Sequence, residues 1–122
     1  MGKTTIQAYV RGSVESVELY KRAFNTDLSE CYKNDDGTYA HAEFDIYGQA
    51  FAVSESWFGE VIKGNTMQFI LHFGESREAA VIRAYEVLGD GADILFPLGP
   101  SGWSALMFGL IDKFGVCWCV AV

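Results

Sequence analysis

The order of predicted secondary-structure elements repeats once along this chain of 122 residues. The first half opens with a β-rich segment, Thr4 to Val10, and Ser13 then offers an N-cap to a stretch with apolar residues at helical spacing. An Asn-Asp-Asp-Gly turn, followed by alternating polar and apolar residues, is typical of a hairpin. The first half therefore predicts the order βαβββ, with its last three strands over residues 28–33, 39–46 and 50–55.

The second half predicts the same order. A strand over Met67 to Phe73 is followed by a helix that Ser76 caps, and a loop rich in Pro and Gly is expected over residues 97–102. The remaining strands are predicted over residues 92–96, 104–111 and 116–120. Two halves of equal length with one element order indicate an internal duplication. We expect one α+β domain over residues 1–122, with two βαβββ modules, about 1–56 and 66–122, whose curled mixed sheets surround a cleft.

Composition limits the cellular context and the partners. The chain is 50% hydrophobic, but its longest apolar runs are strand-sized and too short to span a bilayer. The N-terminal residues lack the apolar stretch of a secretory signal, and the cysteine count of three is odd, so we expect a cytoplasmic protein without a membrane partner. A net charge of −7, with nine scattered basic residues, argues against a nucleic-acid partner.

Three motifs together resemble one large superfamily. The helix segment Val17–Phe24, the strand segment Phe51–Glu55 and the ending Trp103–Trp118, with its Asp-x-x-Gly turn, resemble motifs of the vicinal-oxygen-chelate superfamily. This superfamily includes glyoxalase I, extradiol dioxygenases and bleomycin- and fosfomycin-resistance proteins, and the chain is most similar to its PhnB-like branch. The resemblance implies paired βαβββ modules, a cup-shaped cavity and a homodimer.

Metal-dependent members of this superfamily carry one ligand at the start of the first strand and one on the last strand of each module. The resemblance places these four positions at Thr5, Ala52, Gln68 and Cys119. Gln68 is a convincing ligand type, Cys119 offers a thiolate for zinc, and Ala52 has no donor atom. A register shift of two residues would bring in Gln7 or His72. We expect no metal or other cofactor, and a divalent metal on Gln68 and Cys119 is the alternative.

Other polar residues have a functional and a structural interpretation. His41, Glu43 and Asp45 alternate along one strand face, which is most often a solvated face and less often a functional cluster. Glu55, at the end of its strand, is a candidate general base near the mouth of the cavity. Cys117 and Cys119 alternate with apolar residues and fit a buried strand better than a nucleophilic site.

The chain is rich in aromatic residues, at 15% of the sequence. Trp57 lies in the connection between the predicted modules, and Trp103 follows the Pro/Gly loop, both places where loops often flank a pocket. Such residues suit a flat apolar ligand, while core and dimer packing is the competing interpretation.

Three functions are compatible with this sequence. We expect a PhnB-like homodimer that binds a small organic molecule in its cavity without a metal. A metal-dependent lyase or dioxygenase of the glyoxalase type is the alternative, and a structural or partner-binding protein with a filled cavity is the third. The cavity candidates are Thr5, Gln7, Ala52, Glu55, Trp57, Gln68, Trp103 and Cys119.

Overall fold

A computed structural model of the protein describes residues 2–122. The chain forms two compact units, one ending at Val61 and the other running from Ile62 to Val122. Each unit holds one helix and one four-stranded sheet, in the order βαβββ. Among the described residues, no helix is both long and apolar enough to cross a membrane.

The elements of the first unit are β1 (Thr5–Val10), α1 (Ser13–Phe24), β2 (Leu28–Lys33), β3 (Tyr39–Ile46) and β4 (Gln49–Glu55). Strands β1 and β4 pair in parallel, and β3 pairs antiparallel with β4 and with β2. The resulting sheet has the order β1-β4-β3-β2.

Helix α1 covers one face of this sheet. The ring of Tyr20 packs at 6.3 Å from Phe44 of β3 and at 5.7 Å from Phe51 of β4, measured between centroids, and all three side chains are buried. Because successive strand residues point to opposite faces, the neighbours of Phe44 and Phe51 project to the face away from the helix. That second face carries His41, Glu43 and Ala52.

The start of α1 differs from the sequence prediction. Ser13 is the first residue of the helix rather than its N-cap, a position that Gly12 occupies with a φ of 95°. The Glu55 carboxylate accepts the Ser13 N–H at 2.8 Å and the Gly12 N–H at 3.1 Å. The Ser13 hydroxyl instead accepts the N–H of Tyr39 at 2.9 Å. A carboxylate distant in sequence therefore caps this helix, which local sequence reasoning does not detect.

The elements of the second unit are β5 (Gln68–His72), α2 (Glu78–Leu88), β6 (Asp93–Gly99), β7 (Met107–Ile111) and β8 (Cys117–Ala121). They repeat the topology of the first unit with the order β5-β8-β7-β6, in which only β5 and β8 are parallel. Tyr85 of α2 packs against Phe108 of β7 with ring centroids 5.1 Å apart, so α2 also covers one face of its sheet.

Three predicted boundaries in this unit are wrong. Ser76 does not cap α2, because it has a φ of 70° and the N-cap is Arg77. Strand β6 continues to Gly99, into the first half of the segment predicted as a loop, and its position at the sheet edge tolerates Pro97. Strand β7 starts only at Met107, because the preceding residues form a turn in which Ser101 Oγ accepts the N–H of Ser104 at 3.1 Å.

Between β7 and β8, Asp112 organises the Asp-x-x-Gly turn. Its Oδ1 accepts the backbone N–H groups of Phe114 at 2.9 Å and Val116 at 3.1 Å. Its Oδ2 accepts the indole N–H of Trp118 at 2.8 Å, and the Asp112 residue is only 3% exposed. Gly115 provides the positive φ, 96°, that closes the turn. The terminal motif is therefore a structural element that joins two core strands.

Candidate functional site

A row of four residues crosses the first sheet on the face away from α1. Strand pairing places Gln7 beside Ala52, Ala52 beside Glu43, and Glu43 beside Glu30. Three of the four carry polar side chains. The strand order therefore gathers polar groups from β1, β3 and β2 that are far apart in sequence.

His41 connects two members of this row. Its Nδ1 lies 3.0 Å from Oε1 of Gln7, and its Nε2 lies 3.1 Å from Oε1 of Glu43. The His41 side chain is 30% exposed and the Glu43 side chain 7% exposed. The predicted solvated face is therefore wrong for Glu43, which is buried, while Asp45 on the same strand is exposed.

Glu43 also forms an ion pair with Lys3, whose side chain is 63% exposed. The Lys3 ammonium group bonds to Oε2, while His41 contacts Oε1. The hydrogen bond from Lys3, followed by the one from His41, lowers the pKa of the Glu43 carboxyl. The hydrogen bond to Glu43 raises the pKa of Lys3 in turn. At neutral pH the pair is therefore a buried carboxylate with an exposed ammonium partner.

Glu30 extends this cluster. One donor atom each from Glu30, His41 and Glu43 lies within 4.8 Å of the other two. An imidazole nitrogen with two carboxylate oxygens is a donor set that suits several divalent transition metals. Glu30 is exposed, however, and Glu43 already has Lys3 as its cation.

A shallow cavity of about 810 Å³, open to solvent, lies next to the Lys3–Glu43 pair in the first unit. Its charged lining residues are Lys3, Glu43 and Asp45. None of the eight cavity candidates from the sequence is among the lining residues of this cavity in the described part of the chain. The full lining comprises Gly2, Lys3, Thr4, Ser29, Glu43, Phe44, Asp45, Gly48 and Ala50.

Four of the candidates lie on the first sheet, and the structure gives each a definite position. Thr5 is exposed and pairs with Ala50, while Gln7 joins the His41 network. Ala52 is fully buried, and its methyl side chain has no polar atom. Glu55 caps α1. Burial alone would raise the pKa of its carboxyl, but the hydrogen bonds from the N–H groups of Ser13 and Gly12 outweigh burial, so the pKa is lowered. These bonds assign Glu55 a structural role at the helix start.

The aromatic candidate of the first unit is largely exposed. Trp57 is 81% exposed and packs edge-on against Phe58 at 4.8 Å. Phe58 in turn contacts Tyr9 of β1 at 5.2 Å. This aromatic group is separate from the lining of the cavity.

In the second unit, Gln68 and Cys119 do not meet across the sheet. Gln68 pairs with Cys117, and its amide donates to the Cys117 sulfur at 3.6 Å, whereas Cys119 pairs with Ile70. Burial raises the pKa of the Cys119 thiol, which disfavours the thiolate that binds zinc. The rings of Trp103 and His72 lie 5.3 Å apart between centroids, at a tilted angle of 52°.

The residues at the four family positions do not fit a divalent metal. Ala52 supplies no donor atom, and a neutral, buried Cys119 thiol is a poor ligand. Gln68 offers only its amide oxygen, while its amide nitrogen donates to Cys117. One suitable donor does not make a binding site for a divalent metal.

Sequence reasoning missed the residues of the cavity for identifiable reasons. Glu43 and Asp45 were recognised only as a polar alternation, and the pattern alone does not reveal that Glu43 is buried. Lys3 and Ser29 have no local signal, because strand pairing and the chain path bring them to Glu43. Ser29 Oγ, for example, donates to the Glu43 carbonyl at 3.0 Å.

Solved structures of other proteins have the same fold. A PhnB protein from Bacillus cereus has a TM-score of 0.78 at 22% identity, over 98% of this chain and 97% of that chain. Protein PA1353 from Pseudomonas aeruginosa has a TM-score of 0.79 at 22% identity, over 99% and 97%. The fosfomycin resistance protein FosX from Mesorhizobium loti has a TM-score of 0.67 at 13% identity, over 98% and 89%.

The chain has the vicinal-oxygen-chelate fold. This result confirms the predicted α+β class with two βαβββ modules, and it confirms at the level of fold the resemblance to PhnB-like proteins. No protein-family model and no curated protein matches the sequence. Within this glyoxalase-like fold, the first sheet carries a polar cluster with a cavity, and the family's metal positions lack a fitting ligand set.

Proposed function

We propose that this glyoxalase-fold protein binds a small organic molecule in the cavity of its first unit, without a metal at the four strand positions of the fold. The observation that supports the proposal is the cavity of about 810 Å³ beside the buried Glu43 carboxylate. Small-molecule sites are usually concave, roughly 300–1,000 Å³ in volume, and hold a few fixed polar groups. Glu43, braced by His41, is such a group.

A panel of small compounds tests this function. The full chain is dialysed against EDTA, and its thermal unfolding is followed with small neutral, anionic and cationic organic compounds. We expect at least one class to raise the unfolding temperature in a saturable way, because a ligand that binds only the folded state stabilises it. If no compound gives a saturable shift in EDTA, the proposal fails.

A metal-dependent reaction of the glyoxalase type is a second candidate, favoured by the Glu30, His41 and Glu43 cluster. Here the metal would lie on β2 and β3 rather than at the positions of the fold family. Calorimetric titration with Mn²⁺ and Zn²⁺ tests it, with His41→Ala as the site variant and His72→Ala as the matched control. One tight ion per chain that His41→Ala alone removes would favour this candidate over the metal-free one.

We further propose that the protein self-associates as a homodimer in the cytoplasm. The strands β1, β2, β5 and β6 stand at the edges of their sheets, and edge strands are usually covered in native proteins. The free thiol of Cys31 is exposed, which suits a reducing compartment. Sedimentation equilibrium tests the dimer, and a clean monomer at high concentration would contradict it. Recovery in the soluble cytoplasmic fraction of cells tests the location.

A further inference from the structure

The Lys3–Glu43 ion pair combines two groups in very different environments. The Glu43 side chain is 7% exposed, whereas the Lys3 side chain is 63% exposed and belongs to the segment before β1. Burying a carboxylate is costly unless it is paired, so the Glu43 site favours a positive group beside it. An exposed lysine is a replaceable source of that charge, because its ammonium group is stable in water on its own.

The two oxygens of Glu43 are divided between two partners. His41 contacts Oε1 and is itself held by Gln7, so this side of the carboxylate belongs to the network within the sheet. Oε2 is bonded to the Lys3 ammonium group, and both residues line the cavity. The oxygen that faces the exposed partner is therefore the one that a ligand in the cavity would reach.

The charge around the cavity favours a cation. Among the described lining residues, the acids are Glu43 and Asp45 and the single base is Lys3. Glu30 adds a further carboxylate close to Glu43. If a ligand displaced the Lys3 side chain, the lining would therefore hold two negative charges, with a third nearby.

We propose that the cavity recognises an organic molecule through a primary ammonium group, which binds Oε2 of Glu43 in place of Lys3. Without ligand, the Lys3 ammonium group then occupies the position of the ligand's ammonium group. His41 and Gln7 are positioning residues that hold the carboxylate. This inference rests on the proposed small-molecule function and names its ligand class. The uncharged lining residues of the cavity, such as Ser29 and Gly48, do not select a particular structure for the rest of the ligand.

A matched series of probes tests the charge preference. Benzylamine, benzyl alcohol and benzoate share one ring and differ in a single polar group, and their affinities are measured by ligand-detected NMR on the full chain in EDTA. We expect benzylamine to bind at least about tenfold more tightly than benzoate, because a desolvated charge pair discriminates strongly against the wrong sign. Equal binding of all three would overturn the inference.

Two variants with matched controls test the role of each partner. Lys3→Met removes the competing ammonium group and should tighten benzylamine binding, by up to about tenfold if Lys3 occupies the carboxylate most of the time. Glu43→Gln should weaken benzylamine binding at least about tenfold. The controls are Lys33→Met and Glu60→Gln, which change the same charges at exposed positions outside the cavity lining and should leave the affinity unchanged.

The outcomes separate this inference from the function on which it rests. If benzoate or benzyl alcohol binds more tightly than benzylamine, the protein still binds a small molecule, but the ammonium site is wrong. If Lys3→Met weakens benzylamine binding, Lys3 contributes to ligand binding instead of competing with the ligand for Glu43, and the inference is wrong. Lys3 is exposed, so its variant folds even in the case that Glu43→Gln does not.

Discussion

The indole nitrogen of Trp118 lies 2.8 Å from Oδ2 of Asp112, six residues earlier in the chain. Both residues are buried, and the same carboxylate accepts the backbone N–H groups of Phe114 and Val116. One side chain thus fixes a turn and anchors the largest aromatic residue of the second sheet. The motif that most strongly suggested the fold therefore has a structural role, because these contacts hold the turn and the strand that follows it.

Replacing Asp112 should destabilise the protein strongly. Asp112→Ala removes the acceptor of the Trp118 indole and of two backbone N–H groups, and losing the acceptor of a buried donor costs about 1–3 kcal/mol. We expect the free energy of unfolding to fall by about 3 kcal/mol in urea titrations. The control is Asp90→Ala, because the Asp90 side chain is 77% exposed and its ion pair with Lys113 is long, at 3.8 Å. A loss at Asp112 no larger than at Asp90 would contradict this interpretation.

The glycine of the same turn should tolerate no side chain. Gly115 has a φ of 96°, and a Cβ atom there would lie 2.5 Å from Cγ of Lys63. We expect Gly115→Ala to lower the free energy of unfolding by about 1–3 kcal/mol, from backbone strain and crowding. Gly102→Ala is the matched control, since a Cβ there meets nothing within 4 Å. The comparison fails if both alanine variants unfold at the same urea concentration.

Glu55 should act as a helix cap with a defined pH dependence. Glu55→Gln replaces the carboxylate that accepts the N–H groups of Gly12 and Ser13, and should cost about 1 kcal/mol at pH 7. The pKa of this carboxyl is lowered in the folded state, so its contribution is complete above the unfolded value of about 4.3 and declines as the pH falls through the folded value.

Urea unfolding of both proteins at pH 7 and pH 3 measures this dependence. The difference between wild type and Glu55→Gln should shrink at pH 3, because below the unfolded pKa the Glu55 carboxyl of the unfolded wild-type chain takes up a proton. Glu60→Gln, at an exposed position of the same unit, should show no comparable difference at pH 7. A gap between wild type and Glu55→Gln that grows on acidification would contradict the capping role.

The three cysteines should differ sharply in reactivity. Cys31 is exposed, whereas Cys117 and Cys119 are buried, and burial raises the pKa of both buried thiols. Because the thiolate is the reactive form, a thiol reagent at neutral pH should modify one cysteine quickly in the native protein and three after denaturation. Fast modification of Cys119 in the native state would support a reactive thiol, contrary to our interpretation.

Much of the fold could be predicted from the sequence, because hydrophobic periodicity and turn residues act locally. The alternation along β3 and the apolar stripe of α1 were recognised for this reason. The predicted helix starts were wrong. The N-terminus of α1 is capped by the carboxylate of Glu55, which is distant in sequence, and the N-cap of α2 is Arg77 rather than Ser76. The extension of β6 through Pro97 was missed because only the sheet order shows that β6 is an edge strand.

The candidate site was less predictable than the fold. Its central pair joins Lys3 to Glu43, 40 residues apart, and no local pattern relates the two. Of the eight sequence candidates, Gln7 joins the polar cluster through His41, and the others lie outside it.

Backbone amide NMR of the full chain, titrated with benzylamine in the presence of EDTA, tests the central claim most directly. We propose binding in the cavity of the first unit without a metal, so the amide signals of cavity residues such as Ser29, Asp45 and Gly48 should shift saturably, while those of Gln68 and Cys119 should not. Cavity signals that stay unchanged with all three probes of the series, or that shift only after a divalent ion is added, would contradict the account.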